Sequence, residues 1–202
     1  QAIGVEVTDF TYTQQTHTTN VKRVYARERG QSFPETDGMI TDVPGICLVT
    51  SYADCVPLYF VDPVKKVIGL SHSGWRGTVG KIGKVTVEKM EEEFGCDPAD
   101  ILGAVGPSIC QDCYEVSEDV IKKFREKYDE NLWPEIFYQK ENGKYQLNLW
   151  KANESVFLES GILPEHIAVT NVCTHCNPDI LFSHRTTGNE RGTLSAFLAL
   201  KK

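Results

Sequence analysis

KVIGLSHSGWRGTVGKIGKVTVEKMEEEFGCDPADILGAVG, residues 66–106, contains the clearest change from strand to helix pattern in the chain. Its apolar, β-branched start predicts a buried strand that ends in a glycine-rich turn. From Thr78 the apolar residues recur at helical spacing, and Gly95 is placed to end that helix, because glycine readily adopts the left-handed conformation of a helix C-terminus. Residues 101–106 predict a second strand. The order of strand, helix and strand indicates a βαβ unit.

Strand and helix patterns continue on both sides of this unit without strict alternation. Helices are expected over residues 117–132, where Ser117 precedes two acidic residues, and from Asn148 to Ser160. Strands are expected on both sides of the loop QQTHTTN, from Ile3 onward, and over residues 45–55, 56–63, 166–174 and 194–200. These patterns predict an α/β fold in which α and β elements form α/β/α layers around a mixed sheet. We expect one domain over residues 1–202. Because the chain starts at Gln1, we also expect it to lack an N-terminal segment.

Composition narrows the class of function. The chain has 202 residues, 41% hydrophobic, which suits one globular domain, and its apolar runs are shorter than the roughly 20 residues of a membrane span. A net charge of −7 argues against a nucleic-acid partner, whose phosphates attract clustered Lys and Arg. Seven cysteines are too sparse for a disulfide scaffold. We therefore expect a cytoplasmic protein without a membrane or nucleic-acid partner; the oligomeric state stays open.

Two CxxC pairs suggest a structural zinc, because paired thiolates in two loops can supply four ligands. They are Cys110 with Cys113 and Cys173 with Cys176. However, 59 residues, numbers 114–172, separate the pairs, whereas compact zinc ribbons close loops of roughly 15 to 20 residues. We therefore expect Cys173 to end a core strand and Cys176 to lie in the next turn, without a metal.

The turn SHSGWRGTVG follows a predicted strand and starts a predicted helix, where α/β proteins bind ligands. Gly74, Gly77 and Gly80 permit close approach of the backbone, and Arg76 offers a bidentate donor to an oxyanion. The sequence thus indicates an anion site. The alternative is a tight turn, with Trp75 in the core and Arg76 paired to a surface acid.

Cys55 and His72 each lie at the end of a short apolar strand, so neighbouring strands could present both at one edge of a sheet. An imidazole beside a thiolate serves either nucleophilic catalysis or coordination of a metal such as zinc. His17, in a polar turn between strands, is the candidate third ligand. The alternatives are a small buried hydrophobe for Cys55, the commonest fate of a free cysteine, a solvated His17, and an ordinary turn acid at Asp54.

At these residues the sequence resembles the YfiH-like or laccase-domain proteins, once described as polyphenol oxidases and later as purine nucleoside phosphorylases. The resemblance covers nearly the whole chain, in family order. The matching blocks are QQTH (14–17), TDVPGICLVTSYADCVPLYFVDP (41–63), SHSGWRG (71–77), GPSICQDCYEV (106–116) and CTHCNPDILFSHR (173–185). The family's motifs are QxH, ADCxP, HAGWRG, GPxI followed by YEV, and CT followed by FSxR.

The resemblance implies that His17, Cys55 and His72 bind one zinc. It also implies phosphorolysis of adenosine, inosine and methylthioadenosine, so a nucleoside and phosphate as partners, with deamination of adenosine as a side activity. The catalytic candidates are then His72, Cys55 and Arg76, with Gly74, Gly77 and Arg185 as substrate or phosphate contacts. Because SHRTTGNERG differs in spacing from the family's SYRRDxxTGR, the choice between Arg185 and Arg191 as the ligand contact stays open.

Two other functions are weighed beside this one. A copper-dependent polyphenol oxidase follows from the older family description, but multicopper oxidases need many His ligands and the chain has five His. A Cys-His hydrolase or deamidase, with a role in peptidoglycan editing, would use Cys55 as its nucleophile. A binding module without catalysis leaves the convergent His and Cys residues unexplained.

Overall fold

In residues 6–201, which the computed structural model of the chain describes, thirteen strands form three sheets. The strands are β1 (Phe10–Thr13), β2 (Val21–Arg23), β3 (Ser32–Phe33), β4 (Gly38–Thr41), β5 (Cys47–Tyr52), β6 (Val56–Asp62), β7 (Val67–Ser73), β8 (Leu102–Val105), β9 (Glu115–Val116), β10 (Phe137–Gln139), β11 (Tyr145–Leu147), β12 (Ile167–Val169) and β13 (Leu194–Ala199). The helices are α1 (Trp75–Val79), α2 (Ile82–Phe94), α3 (Glu118–Lys127), α4 (Trp133–Ile136), α5 (Leu149–Glu159) and α6 (His184–Thr187).

The central sheet has six strands in the order β12-β8-β6-β7-β4-β2. Strand β6 runs antiparallel to both β7 and β8, so β7 and β8 run in the same direction with β6 between them. Helix α2 connects them, which confirms the βαβ unit. A four-stranded sheet, β13-β5-β1-β3, and a small sheet, β10-β11-β9, complete the fold. The predicted α/β fold with a mixed sheet is confirmed.

The central sheet is covered by helices on one face and by the four-stranded sheet on the other. Helices α2 and α5 contact strands of the central sheet, and their apolar residues share a core with Val67. Ile68 and Leu70 belong to a second core with Leu48 of β5, between the two sheets. The layer order therefore differs from the predicted α/β/α in one respect, since a sheet covers the second face. Short apolar strands gave no signal of the sheet they would join.

Most predicted helix ends agree with the structure. Gly95 ends α2 with φ of 65°, and Asn148 caps α5 by accepting a hydrogen bond from the Lys151 backbone N–H. The helix predicted from Thr78 is interrupted at Lys81, whose φ is 57°, so α1 and α2 are separate. The first predicted strand starts at Ile3, and its beginning lies outside the described residues. No helix in the described chain is long and apolar enough to span a bilayer.

The alternation of side chains along β7 determines the face of the central sheet on which His72 lies. Successive residues of a strand point to opposite faces, so His72 lies on the same face as Ile68 and Leu70, which pack toward the four-stranded sheet. His72 is thus the last residue on this face before the strand ends. Cys55 lies in the connection from β5 to β6, and His17 in the loop from β1 to β2.

Candidate metal centre and active site

His17, Cys55 and His72 meet where these strands end. One donor atom from each residue lies within 4.8 Å of the other two. His17 Nε2 is 4.0 Å from Cys55 Sγ, and the two imidazole rings meet edge to face with centroids 5.0 Å apart. The three residues that the sequence analysis selected are therefore brought together by two connections of the fold and the end of strand β7.

Asp37 lies behind this cluster and orients two of its members. The Asp37 side chain is fully buried, and its Oδ1 is 2.9 Å from His72 Nδ1. It also accepts hydrogen bonds from the backbone N–H groups of Thr16, His17 and Thr18 and from the Thr18 hydroxyl. A carboxylate on Nδ1 fixes the imidazole tautomer that leaves Nε2 free as a ligand. Asp37 therefore positions both His72 and the loop that carries His17.

A second contact holds the same loop to the four-stranded sheet. The Gln15 side chain donates to the Ser51 carbonyl at 2.7 Å and accepts from the Ser51 N–H at 2.8 Å. His17 itself has a left-handed backbone, with φ of 62°. The loop is thus held from both sides in a conformation that non-glycine residues rarely adopt, which is typical of functional positions.

Charge is concentrated in the cluster. Burial favours the neutral form of Asp37, but hydrogen bonds from His72 and Thr18 outweigh it and lower the pKa of this carboxyl to about 2. For Cys55, hydrogen bonds with His17 and His72 likewise overcome burial and lower the thiol pKa to about 6. Burial opposes the charged form of His72, but Asp37 and Cys55 raise its pKa to about 9. The cluster therefore favours a thiolate at neutral pH.

The donor set fits zinc. Bonds of about 2.0–2.1 Å to nitrogen and 2.3 Å to sulfur in a tetrahedral centre place the two donors about 3.6 Å apart. The 4.0 Å between His17 Nε2 and Cys55 Sγ needs a closure of only a few tenths of an ångström. Two imidazoles and one thiolate leave a fourth position open, as catalytic zinc sites do. His17, Cys55 and His72 are thus suited to hold such an ion.

Gly74 leaves the space in which two of these side chains meet. A Cβ at Gly74 would lie 2.9 Å from His17 Cδ2 and 3.0 Å from Cys55 Sγ. Its φ of −71° suits any residue, so the restriction is steric. The glycine predicted to bring the backbone close to a ligand instead makes room for the metal-ligand candidates.

We expect Gly74→Ala to lower the zinc content of the purified protein, because the added methyl group separates His17 from Cys55. Gly77→Ala is the matched control, since a Cβ there meets its nearest atom, the His72 carbonyl oxygen, at an ordinary 3.4 Å. Elemental analysis of both variants measures the effect. Equal zinc in Gly74→Ala and Gly77→Ala would contradict the steric argument.

Asp37→Asn is expected to weaken zinc binding by about 10- to 100-fold, which is the usual cost of losing the partner of a ligating histidine. Competition with a chelator measures the affinity. Asp179→Asn, at an exposed position, serves as the control. Unchanged affinity in Asp37→Asn would show that the contact with His72 Nδ1 does not support a ligand.

The lowered pKa of Cys55 predicts its reactivity in metal-free protein. Because the thiol loses its proton at lower pH than usual, alkylation of Cys55 by iodoacetamide should rise with a midpoint near pH 6 rather than near 9. Peptide mapping by mass spectrometry follows this residue apart from the six other cysteines. A midpoint near pH 9 would contradict the predicted thiolate.

An open cavity of about 300 Å³ lies beside the three side chains. Gln15, Ser51 and Tyr52 contribute to its wall, and so does Arg191. The Arg191 Nε is buried without a hydrogen-bond partner in the described part of the chain, while one of its Nη atoms donates to the Gly188 carbonyl at 3.1 Å. A guanidinium that lines a cavity is suited to bind an anion.

The two other candidate arginines lie elsewhere. Arg185 donates from both Nη atoms to the Glu115 carbonyl, at 3.0 and 3.1 Å, and its guanidinium lies over the Tyr114 ring. Arg76 is exposed and lies over the Trp75 ring, 4.3 Å from its centroid. Neither lines the 300 Å³ cavity. Between the arginines that the sequence analysis left open, the geometry favours Arg191 as the ligand contact.

Asp54 is more than a turn acid. Its side chain is buried, with one oxygen accepting from the Thr174 hydroxyl at 2.6 Å and the other from the Arg185 N–H at 2.7 Å. Its carbonyl accepts from the Ile109 N–H at 3.1 Å. Asp54 therefore joins two distant loops to the turn that presents Cys55. The alternative in which Asp54 is an ordinary turn acid leaves these contacts unexplained.

The two CxxC pairs also meet, contrary to the expectation from their separation. The sulfur atoms of Cys110, Cys113, Cys173 and Cys176 all lie within 4.8 Å of one another. Cys173 forms an isolated parallel bridge with Ser108 instead of ending a core strand. The 59 residues between the pairs did not predict their distance in space. The intervening chain includes α3, α4, α5 and β12, and it brings the second pair back beside the first.

Comparison with known proteins places the chain in a family. The model of the family described as multi-copper polyphenol oxidoreductase laccase matches residues 1–201. The chain belongs to this laccase family. Among its solved members, the crystal structure of a Bacillus licheniformis hypothetical protein, YfiH, superposes with a TM-score of 0.95 at 32% identity, covering 99% of this chain and 77% of that one.

Several relatives in the laccase family carry the names of nucleoside enzymes. Purine nucleoside phosphorylase YlmD of Bacillus subtilis is 34% identical over 98% of this chain and 73% of its own length. Adenosine deaminase RL5, from an unknown prokaryotic organism, is 34% identical over 94% of this chain and 74% of its own length. Purine nucleoside phosphorylase LACC1 of Homo sapiens is 33% identical over the whole of this chain, which spans 46% of that protein.

Proposed function

We propose that the chain is a zinc-dependent purine nucleoside phosphorylase that converts adenosine, inosine or methylthioadenosine, with phosphate, to the free base and ribose 1-phosphate. The observation that carries the proposal is the convergence of His17, Cys55 and His72 within 4.8 Å at a cavity lined by Arg191. The names of the phosphorylase relatives supply the reaction class.

Zinc suits this site better than copper. Two histidines and a cysteine also form the blue-copper donor set, which adds a weak axial ligand such as methionine and serves electron transfer. His166, His175 and His184 lie outside the three-residue cluster, so the described chain has too few convergent histidines for a multicopper centre. His17, Cys55 and His72 line an open cavity, so a zinc ion held by them would be accessible to a substrate, as in catalytic zinc sites.

In phosphorolysis a phosphate oxygen bonds to the ribose C1′ as the bond from C1′ to the purine nitrogen breaks, and the base leaves with that electron pair. Arg191 would hold the phosphate in the cavity through its guanidinium. The loop held by Asp37 and Gln15 would form a rigid wall against which the nucleoside is oriented. A bound zinc supplies a Lewis acid.

Deamination of adenosine is proposed as a side activity of the same site. It exchanges the exocyclic amine for a water oxygen and releases ammonia, so it needs water in place of phosphate. The relative named adenosine deaminase motivates this step.

A Cys-His hydrolase is the second candidate, because Asp37, His72 and Cys55 also have the order of a catalytic triad. The His72 Nδ1 contact with Asp37 and the lowered thiol pKa both suit a cysteine nucleophile. Alkylation of Cys55 in the presence of zinc distinguishes the two functions. If Cys55 is a zinc ligand, zinc should protect it from iodoacetamide. Alkylation of Cys55 that zinc does not prevent would favour the hydrolase.

The test of the proposal is phosphate-dependent release of hypoxanthine from inosine by zinc-loaded protein. Chromatography should show hypoxanthine and ribose 1-phosphate in equal amounts, and free ribose would indicate hydrolysis. Oxygen uptake with a phenolic substrate and copper-loaded protein tests the oxidase alternative in parallel. The proposal fails if zinc-loaded protein releases no hypoxanthine when phosphate is added.

A further inference from the structure

We propose that Cys110, Cys113, Cys173 and Cys176 bind a second, structural zinc ion, separate from the His17 site. The four cysteines form two CxxC turns that face each other. Ser108 joins the turns, because its N–H donates to the Val172 carbonyl at 3.1 Å and its carbonyl accepts from the Thr174 N–H at 3.2 Å. This pairing brings together cysteines 63 residues apart.

Backbone amides already point at one of the sulfurs. Cys173 Sγ accepts from the N–H groups of Cys110 at 3.3 Å and Cys176 at 3.4 Å. Such hydrogen bonds stabilise a thiolate, which is the form that binds metal. The Asn177 amide also donates to the Cys173 carbonyl at 2.7 Å, holding the second turn in shape. The turns are thus arranged to hold a negatively charged sulfur.

The sulfur separations match a tetrahedral ion. Zinc bonded to four sulfurs at about 2.3 Å would hold them about 3.8 Å apart. Cys113 Sγ and Cys176 Sγ are 3.5 Å apart, and all four sulfurs lie within 4.8 Å of one another. A disulfide requires a sulfur separation of about 2.05 Å, and it would pair two cysteines without explaining the other two. A closed set of four thiolates is typical of structural zinc.

This ion would hold the loops that border the His17 site. The first turn leads into Tyr114 and Glu115, and the second contains Thr174, whose hydroxyl donates to Asp54 beside Cys55. Arg185 closes the contact between the loops through the Glu115 carbonyl. The second zinc therefore stabilises the turn that presents Cys55 without touching the substrate cavity. The inference does not depend on the reaction catalysed.

The decisive experiment isolates this site by removing the other. In His17→Ala, expressed with zinc as the full chain and purified under reducing conditions, elemental analysis should still find one zinc per chain. X-ray absorption at the zinc edge should show four sulfur ligands at about 2.3 Å and no nitrogen. Absence of bound zinc, a shell containing nitrogen or oxygen, or iron in place of zinc would overturn the proposal.

Substitutions and thiol counting check the ligands. In the His17→Ala background, Cys113→Ser and Cys176→Ser should each lose the remaining zinc, whereas Cys96→Ser, outside both clusters, should keep it. Should the serine variants fail to fold, the absorption spectrum of His17→Ala decides alone. Denatured, unreduced wild-type protein should show seven free thiols. Five thiols, the count after a bond between Cys113 and Cys176, would overturn the zinc assignment.

Discussion

Cys55→Ala is expected to lose the zinc of the His17 site and to lower phosphorolysis of inosine by more than about 100-fold. Losing only a hydrogen-bond partner behind a ligand costs about 10- to 100-fold in affinity or activity, so losing the ligand itself should cost more. Cys55 supplies the single thiolate of the set, and its lowered pKa favours this metal-binding form at neutral pH. Zinc analysis and hypoxanthine release measure both effects.

Cys47→Ala is the matched control for this change. Cys47 is a buried cysteine of β5 outside both metal-ligand clusters, so zinc and activity should persist. Cys55→Ala should affect the two proposed zinc sites differently. It should keep the zinc held by the four cysteines and lose only the zinc of the His17 site. Full zinc content together with full activity in Cys55→Ala would show that Cys55 is not a ligand. Full zinc with no activity would favour the nucleophile role.

Arg191→Ala is expected to lower kcat/KM for phosphate by about 100-fold, as loss of one donor to a developing negative charge typically does. Arg191 lines the cavity beside His17, Cys55 and His72, and its buried Nε has no hydrogen-bond partner in the described chain. Its guanidinium would pair with a phosphate bound in that cavity. Because water replaces phosphate in deamination, the deaminase side activity should fall much less.

Arg185→Ala and Arg76→Ala separate this role from general loss of positive charge. Arg185 supports the Glu115 carbonyl, so its loss should lower thermal stability more than it changes the Michaelis constant for phosphate. Arg76 lies over Trp75 outside the cavity. An unchanged phosphate constant in Arg76→Ala would rule out the phosphate role that the sequence assigns to it. A large change in the Michaelis constant for phosphate in Arg76→Ala, with no change in Arg191→Ala, would assign the phosphate contact to Arg76 instead of Arg191.

The strands that position the site were predictable because their patterns are local. The apolar runs before His72 and Cys55 indicate strand ends, although β5 ends at Tyr52, three residues before Cys55. Neighbouring strand ends can meet at one edge of a sheet. Asp37 escaped prediction, although it lies directly before the buried strand β4. A lone acid next to a strand is usually a turn residue, and only the pairing of β4 with β7 shows that it meets His72.

The four-cysteine cluster was missed for a different reason. The number of residues between Cys113 and Cys173 gives only their separation along the sequence. Their distance in space is set by the fold, in which Ser108 and Cys173 form a β-bridge. Arg191 was left open beside Arg185 because its role depends on how the segment after α6 returns to β13. Contacts between segments distant in sequence carry no local signal in a single sequence.

Anomalous diffraction from zinc-loaded crystals, recorded on both sides of the zinc absorption edge, would locate the zinc ion that we propose for His17, Cys55 and His72. We predict a peak bonded to His17 Nε2, Cys55 Sγ and His72 Nε2, with His72 Nδ1 still on Asp37. Crystals of protein active in phosphorolysis that show no peak among these three atoms would rule out this zinc site.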